Sequence, residues 1–174
     1  MTILLPPCVT IHPWSLDAVG GNLASKMQSA SSGTWPTANR ALFVPFRATS
    51  NFVAVKMFAH SGATVNGTGN IDVGIYTADG TRLVSSGSVL QTDVGSLQEF
   101  DITDTAIGPG LYYMAVSLDN TTNTLFRYST NAQNAKSFGL LQQASAHALP
   151  ASATYAALTE SIIPLIGLTT RTLV

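Results

Sequence analysis

The chain has 174 residues, a length that fits one domain with one hydrophobic core. Asp, Glu, Lys and Arg make up only 10% of it, against roughly 25% in an average soluble protein. The basic residues are spread singly and the net charge is −1, so there is no basic stripe of the kind that binds nucleic acid or an anionic membrane.

Polar but uncharged residues must fill most of the surface of such a chain. Thr, Ser, Asn and Gln side chains lose little free energy when another protein covers them, whereas charge of both signs resists association. The composition therefore favours a protein that is permanently packed against others. The alternative is that many β-sandwiches are simply rich in Thr and Ser.

The start of the chain carries no recognisable targeting signal. No cationic segment precedes its short apolar run, and Pro6 and Pro7 interrupt that run, so we predict no signal peptide. Cys8 is the single cysteine and cannot form a disulfide within the chain. No stretch approaches the ~18 apolar residues that a membrane helix requires.

Residues 1–38 are predicted to form an extended N-terminal arm. Prolines interrupt its apolar residues, so the arm cannot build a core of its own, yet it is too apolar for a disordered tail. It therefore either covers an edge of its own domain or contacts a neighbouring subunit. The candidate interface residues of the arm are Ile3, Leu4, Leu5, Trp14 and Trp35.

Residues 39–174 are predicted to form an all-β domain, an antiparallel β-sandwich of jelly-roll type. Apolar residues alternate with other residues in 41–47, 52–58, 70–77, 97–103 and 111–118, and further strands are expected at 81–84 and 124–128. The Asp79-Gly80 pair predicts a hairpin turn. Pro45 predicts an edge or a bulge, because proline lacks the N–H that a central strand needs. Short helices are compatible with the composition only at 15–29 and 132–146.

The segment 161–168 is strongly apolar and interrupted by Pro164. Burial of each large aliphatic side chain contributes about 1.5–3 kcal/mol, so this segment is either the last strand of the sandwich or an interface strand. Pro164 favours an edge position. The candidate interface residues are Ile162, Ile163, Leu165 and Ile166.

Motifs for catalysis are missing from the sequence. It contains no nucleophile elbow, no phosphate-binding loop and no pair of histidines at zinc-binding spacing. Glu99 and Asp101 project from one face of a predicted strand, and two carboxylates can cleave a glycosidic bond, but a solvated outer face is the commoner explanation. We predict no enzyme activity, no metal site and no cofactor.

Three aromatic residues are predicted on strand faces opposite the inward apolar stripes: Phe43, Tyr76 and Tyr113. Exposed rings at such positions would stack on a sugar or anchor a protein interface. The alternative is that the arm or the C-terminal tail covers them.

Three segments of the middle region resemble the small jelly-roll proteins found among the virion structural proteins of tailed bacteriophages. They are Asn39-Arg-Ala-Leu-Phe-Val-Pro-Phe46, Asp72-Val-Gly-Ile-Tyr-Thr-Ala-Asp-Gly-Thr-Arg-Leu-Val84 and Gly108-Pro-Gly-Leu-Tyr-Tyr-Met-Ala-Val116. Proteins of this kind serve as head-decoration (cement) proteins or as tail-fibre and receptor-binding modules, commonly as trimers. The chain lacks the repeat or coiled-coil stalk of a fibre, which favours decoration.

The resemblance implies a location in the virion, after assembly in the host cytoplasm. It implies as partners further copies of the chain, in a homotrimer, and other virion proteins such as the major capsid protein. The tail-associated alternative implies a glycan ligand. Neither role involves nucleic acid or a membrane.

Overall fold

The structure, a computed structural model, describes residues 9–11 and 30–172. It confirms the predicted fold class, because the chain forms antiparallel sheets packed as a β-sandwich. The strands are β1 (Val9–Ile11), β2 (Ser31–Thr34), β3 (Ala41–Ala48), β4 (Phe52–His60), β5 (Asn70–Thr77), β6 (Arg82–Ser85), β7 (Val89–Leu90), β8 (Leu97–Ile107), β9 (Gly110–Leu118), β10 (Thr124–Ser129), β11 (Leu141–Gln143), β12 (Ala156–Ala157), β13 (Ile162–Pro164) and β14 (Ile166–Thr172).

The strands form three sheets. The large sheet has the order β12-β11-β3-β9-β5-β6, with β7 paired to β5; the opposite sheet has the order β1-β14-β4-β8; the small sheet has the order β13-β10-β2. The chain changes sheets between β3 and β4, and again between β8 and β9. Nevertheless β3 pairs with β9 and β4 pairs with β8, both antiparallel.

The main core lies between the large sheet and the opposite sheet. Alternate residues of β3 and β9, among them Phe46, Met114 and Val116, are completely buried on the inner face of the large sheet. Met57 and Leu168 from the opposite sheet belong to the same cluster. The predicted inward stripes of β3, β5, β8 and β9 are confirmed. The stripe predicted for β4 is wrong, because a β-bulge between Ala54 and Lys56 leaves Val53 and Val55 out of the core cluster and places Phe52 and Ala54 in it.

The two strand prolines lie where no backbone donor is required. β11 pairs with β3 only at residues 41–43, so Pro45 lies beyond the end of that pairing and β3 is an edge there. Pro164 belongs to β13, which is the edge of the small sheet. Both positions match the expectation that proline occupies edges.

Part of the predicted arm belongs to the sandwich. Strand β2 pairs antiparallel with β10, and the Trp35 that follows it is 1% exposed. The Trp35 indole Nε1 donates a hydrogen bond to the backbone oxygen of Arg40, at 2.9 Å. Because a buried indole needs a partner for its N–H, this bond fixes the entry of the chain into β3.

Helix is confined to one short element in the part of the chain that the structure describes. Helix α1 (Ala132–Ser137) begins after Asn131, whose side chain accepts a hydrogen bond from the Asn134 N–H. It ends well before residue 146, with Gly139 at a φ of 78°, which corrects the longer segment that the composition allowed. The other candidate helix, 15–29, lies outside the described residues.

A segment without regular strands covers the outer face of the large sheet. We call residues 144–155 the strap. Beneath it a second apolar cluster contains Phe43, Tyr76 and Ala115 from the sheet, together with Ala146 and Leu149 from the strap. The large sheet is therefore buried on both faces.

Polar groups of the sheet hold the strap in place. The Tyr76 hydroxyl donates to the backbone oxygen of Pro150 at 2.6 Å, and burial raises the pKa of this hydroxyl, which therefore stays protonated as a donor. The buried Asp72 carboxylate accepts a hydrogen bond from the Leu149 N–H at 2.9 Å. Burial raises the pKa of Asp72, although its hydrogen bonds from Leu149 and Ser86 act in the opposite direction.

Truncation of Met114 tests the two-sheet core. Met114 is completely buried, whereas Leu111 on the same strand is 48% exposed. We expect Met114→Ala to lower the free energy of unfolding by about 2–5 kcal/mol, because the substitution leaves a cavity. Urea unfolding measures this change, and a Leu111→Ala control should change stability by less than about 1 kcal/mol. Equal effects of the two substitutions would contradict the proposed core.

The raised pKa of Asp72 predicts a pH dependence of stability. The carboxyl group of an unfolded Asp has a pKa of about 3.9. Between that pH and the higher pKa of folded Asp72, the folded protein keeps a proton that the unfolded protein has lost. The free energy of unfolding must therefore fall as the pH rises through this window. Asp72→Asn keeps an acceptor for Leu149 and should remove this component. Urea titrations of both proteins from low to neutral pH measure it, and parallel profiles would refute the assignment.

Candidate functional site

Most of the predicted interface residues that the structure describes are buried by the chain's own sheets. Trp35, Ile162, Ile163 and Ile166 are each at most 4% exposed, and Leu165 is partly buried. The C-terminal segment thus supplies strands of its own sandwich, which corrects the expectation that these side chains face a neighbouring subunit. The remaining predicted residues, Ile3, Leu4, Leu5 and Trp14, lie outside the described residues.

The aromatic residues predicted to face a ligand are covered as well. Phe43 and Tyr76 lie opposite the inward stripe, as expected, but both are 0% exposed because the strap covers them. The prediction of exposed rings is therefore wrong for these two. Tyr113 is partly buried, and its ring centroid lies 5.0 Å from that of Tyr155 in the strap.

Charged side chains gather on the outer face of the opposite sheet. Lys56 Nζ lies 3.0 Å from a Glu99 carboxylate oxygen and 3.6 Å from one of Asp101. Arg171 and Asp104 form a second ion pair on the same sheet, at 2.5 Å. The hydrogen bond and the charge of Glu99 raise the pKa of Lys56. These contacts account for Glu99 and Asp101 as part of a solvated, ion-paired face.

The described part of the chain lacks two other kinds of feature. Residues 9–11 and 30–172 contain no group of three or more His, Cys, Asp or Glu side chains placed to hold a metal ion. No helix in those ranges has the length and apolar character needed to cross a membrane.

One surface loop carries three exposed aliphatic side chains. We call residues 89–97, from β7 to the start of β8, the aliphatic loop. Leu90 is 45% exposed, Val94 60% and Leu97 46%. Asp93 is its single charged residue. Exposed aliphatic side chains are common singly, but three on one short loop mark a surface suited to contact with another molecule.

Two glutamines hold the aliphatic loop from the inside. Gln91 is 0% exposed, and its amide nitrogen donates to the Ser61 hydroxyl at 3.2 Å and to the backbone oxygen of Thr124 at 2.9 Å. The Gln98 side chain accepts from the Thr92 N–H and donates to the backbone oxygen of Leu90, both at 2.9 Å.

The backbone of the aliphatic loop is equally constrained. The Gly95 N–H donates to the Gly62 oxygen at 2.8 Å, and the Ser96 N–H donates to the Asp93 oxygen at 2.9 Å. Asp93 and Gly95 both have positive φ, of 58° and 68°, a conformation that Asp tolerates and Gly favours. The exposed side chains are therefore presented on a rigid loop, which lowers the entropy lost when a partner binds.

Sequence reasoning missed this loop. The alternation predicted a strand from residue 97 and gave no role to residues 89–96. The available signal was the turn-forming Asp93-Val-Gly-Ser96 between aliphatic residues that belong to no stripe.

Replacement of Gln91 tests the internal support of the loop. Gln91→Leu removes both hydrogen bonds. The buried Ser61 hydroxyl loses this partner, whereas the Thr124 oxygen keeps its bond from the Gly62 N–H at 2.8 Å. Loss of a partner by a buried polar group costs about 1–3 kcal/mol. We expect faster amide hydrogen exchange at residues 92–96 and lower stability. Thr92→Ala, an exposed substitution in the same loop that keeps both glutamines, is the control. Unchanged exchange in Gln91→Leu would show that the glutamine does not support the loop.

Comparisons of the chain with family models, curated proteins and solved structures find no match. Its function is therefore inferred from its own residues.

Proposed function

We propose that this chain is a non-enzymatic virion structural protein of a tailed bacteriophage, a capsid decoration (cement) protein that self-associates and clamps neighbouring shell subunits. The observation that carries the proposal is the rigid aliphatic loop on a chain that is poor in charge. The loop holds three aliphatic side chains exposed to water, those of Leu90, Val94 and Leu97. This exposure costs free energy, and contact with another subunit removes that cost.

The energetics of the loop suit repeated contacts. Complete burial of a Val or Leu side chain contributes about 1.5–3 kcal/mol, so covering the exposed half of each contributes about 1 kcal/mol. One such contact is weak. In a closed symmetric oligomer the same contact occurs once per subunit, and its contributions act together.

The distribution of charge supports the same assignment of surfaces. Five charged side chains lie on the outer face of the opposite sheet and are paired with one another, namely Lys56, Glu99, Asp101, Asp104 and Arg171. That face is suited to water. The aliphatic loop contributes only Asp93, and its other exposed polar side chains, Thr92 and Ser96, are covered at low cost.

The strand pairing supports the likeness to jelly-roll virion proteins. In this chain β3 pairs with β9. The next strand, β4, pairs with β8, the strand directly before β9. A ribbon of paired strands that wraps around a common core has this connectivity, and jelly rolls are built in that way. We therefore propose a jelly roll. The trimeric assembly and the position on the virion head are proposed from the resemblance of the three sequence segments to virion proteins.

One observation favours a second candidate, a tail-associated receptor-binding or carbohydrate-binding module. Tyr113 and Tyr155 form a pair of partly exposed rings at the edge of the strap. Aromatic rings of this kind can stack on a sugar. The burial of Phe43 and Tyr76 leaves this surface smaller than the sequence suggested.

The association state of the purified protein tests the leading proposal. We expect an oligomer by light scattering after size-exclusion chromatography, and a shift towards monomer in Val94→Ser/Leu97→Ser. Leu111→Ser, which changes a similarly exposed leucine elsewhere, should leave the oligomer intact. A wild-type protein that stays monomeric at high concentration would refute self-association through this loop.

Imaging of phage particles with gold-labelled antibodies distinguishes the two roles. Copies spread over the head support decoration. Copies confined to the tail tip support the receptor-binding alternative and overturn the leading proposal.

A further inference from the structure

A serine and a histidine are joined on the surface where the strap crosses the large sheet. Ser88 lies in the connection between β6 and β7, and its Oγ is 2.9 Å from His147 Nε2. The other ring nitrogen of His147, Nδ1, is 3.0 Å from Ser117 Oγ. Ser88 is exposed, His147 is partly buried and Ser117 is completely buried.

We propose that Ser88 is a nucleophile activated by His147, and that this pair accepts an acyl group from activated carboxylic esters. This reaction is a single acylation of the chain's own serine, not turnover, and it is separate from the proposed assembly function. An exposed hydroxyl, a neighbouring base and a buried group that orients the base together form the arrangement that nucleophilic catalysis requires.

The imidazole is held in a productive orientation. When Nδ1 carries the ring proton and donates to Ser117 Oγ, Nε2 is free to accept the proton of Ser88. The backbone is anchored on both sides of His147, because Ala146 N–H donates to the Asn39 oxygen at 2.6 Å and Leu149 N–H donates to Asp72 at 2.9 Å. The base therefore loses little entropy on reaction.

Negative charge lies where the reaction would create positive charge. Asp72 pairs with Ser117 across strands β5 and β9, and the carboxylates of Asp72 and Asp119 both interact electrostatically with His147. In a serine triad, a carboxylate near the base stabilises the imidazolium that forms when the base takes a proton.

An ester can approach Ser88 from the side of Gly87. Gly87 has a φ of 70°, and apart from its chain neighbours Ser86 and Ser88 no residue of the described chain has a heavy atom within 4 Å of the position that its Cβ would occupy. The space beside the nucleophile is therefore open.

The chemical step balances without any further reagent. The Ser88 oxygen forms a bond to the carbonyl carbon of the ester while the hydroxyl proton passes to His147 Nε2. The bond from that carbon to the leaving oxygen then breaks, and the leaving oxygen takes the proton from His147. The products are acyl-Ser88 and an alcohol or phenol.

Acetylation by p-nitrophenyl acetate, followed by peptide mass spectrometry, tests the proposal. We expect Ser88 to be acetylated at least ~100-fold faster than Ser152, an exposed serine of the strap, since general-base catalysis contributes roughly 10²–10⁴-fold. Ser88→Ala should abolish this adduct, His147→Gln should reduce its rate to that of Ser152, and the Ser152→Ala control should leave it unchanged. Equal rates at Ser88 and Ser152, or an unchanged rate in His147→Gln, would overturn the proposal.

Two further measurements separate activation from a merely structural role. Ser117 is a positioning residue, so Ser117→Ala should slow acetylation and alter its pH profile, while Ser117→Thr, which keeps the hydroxyl, should restore both. If His147→Gln fails to fold, the wild-type pH profile decides. A rate that rises and then levels off as the imidazole loses its proton supports the proposal, whereas a rate proportional to hydroxide concentration refutes it.

Discussion

The structure depends on one constraint, namely that the central strands of the large sheet carry large apolar side chains on both faces. Along β5, Val73 and Ile75 face the opposite sheet, while Tyr76 faces the other way, and all three are 0% exposed. A sheet with two apolar faces needs two covers. The opposite sheet provides one, and the strap provides the other. Residues 144–155 can cover that face because they form no regular strand.

The inner face was predictable and the outer cover was not, for a physical reason. Period-two alternation records which residues share a face, so the stripes of β3, β5 and β9 could be assigned from the sequence. Alternation does not record what lies against each face. The strap is rich in Ala and has no period of its own, and it is held by individual hydrogen bonds such as that from the Tyr76 hydroxyl to the Pro150 oxygen. Nothing local in the sequence identifies those partners.

The aliphatic loop was missed for the same reason, because a sequence pattern does not record which segment lies against a residue. Leu90, Val94 and Leu97 are aliphatic residues like those of the core, and the sequence alone offers no way to tell that they stay in water. Their exposure follows from long-range bonds, above all those of Gln91 to Ser61 and Thr124. The C-terminal aliphatic residues show the opposite outcome: Ile162 and Ile166 resembled interface residues, but long-range pairing with the chain's own strands buries them.

Covering both faces of the large sheet also determines which surfaces remain for function. The strap seals the outer face of that sheet, and ion pairs occupy the outer face of the opposite sheet. Neither broad face is then a flat apolar surface for docking. The proposed contact with other subunits then falls to the loops, and in the described part of the chain the aliphatic loop carries three exposed aliphatic side chains on a constrained backbone. The chemistry at Ser88 has the same origin, because only the strap's crossing of the sheet brings His147 between Ser88 and Ser117.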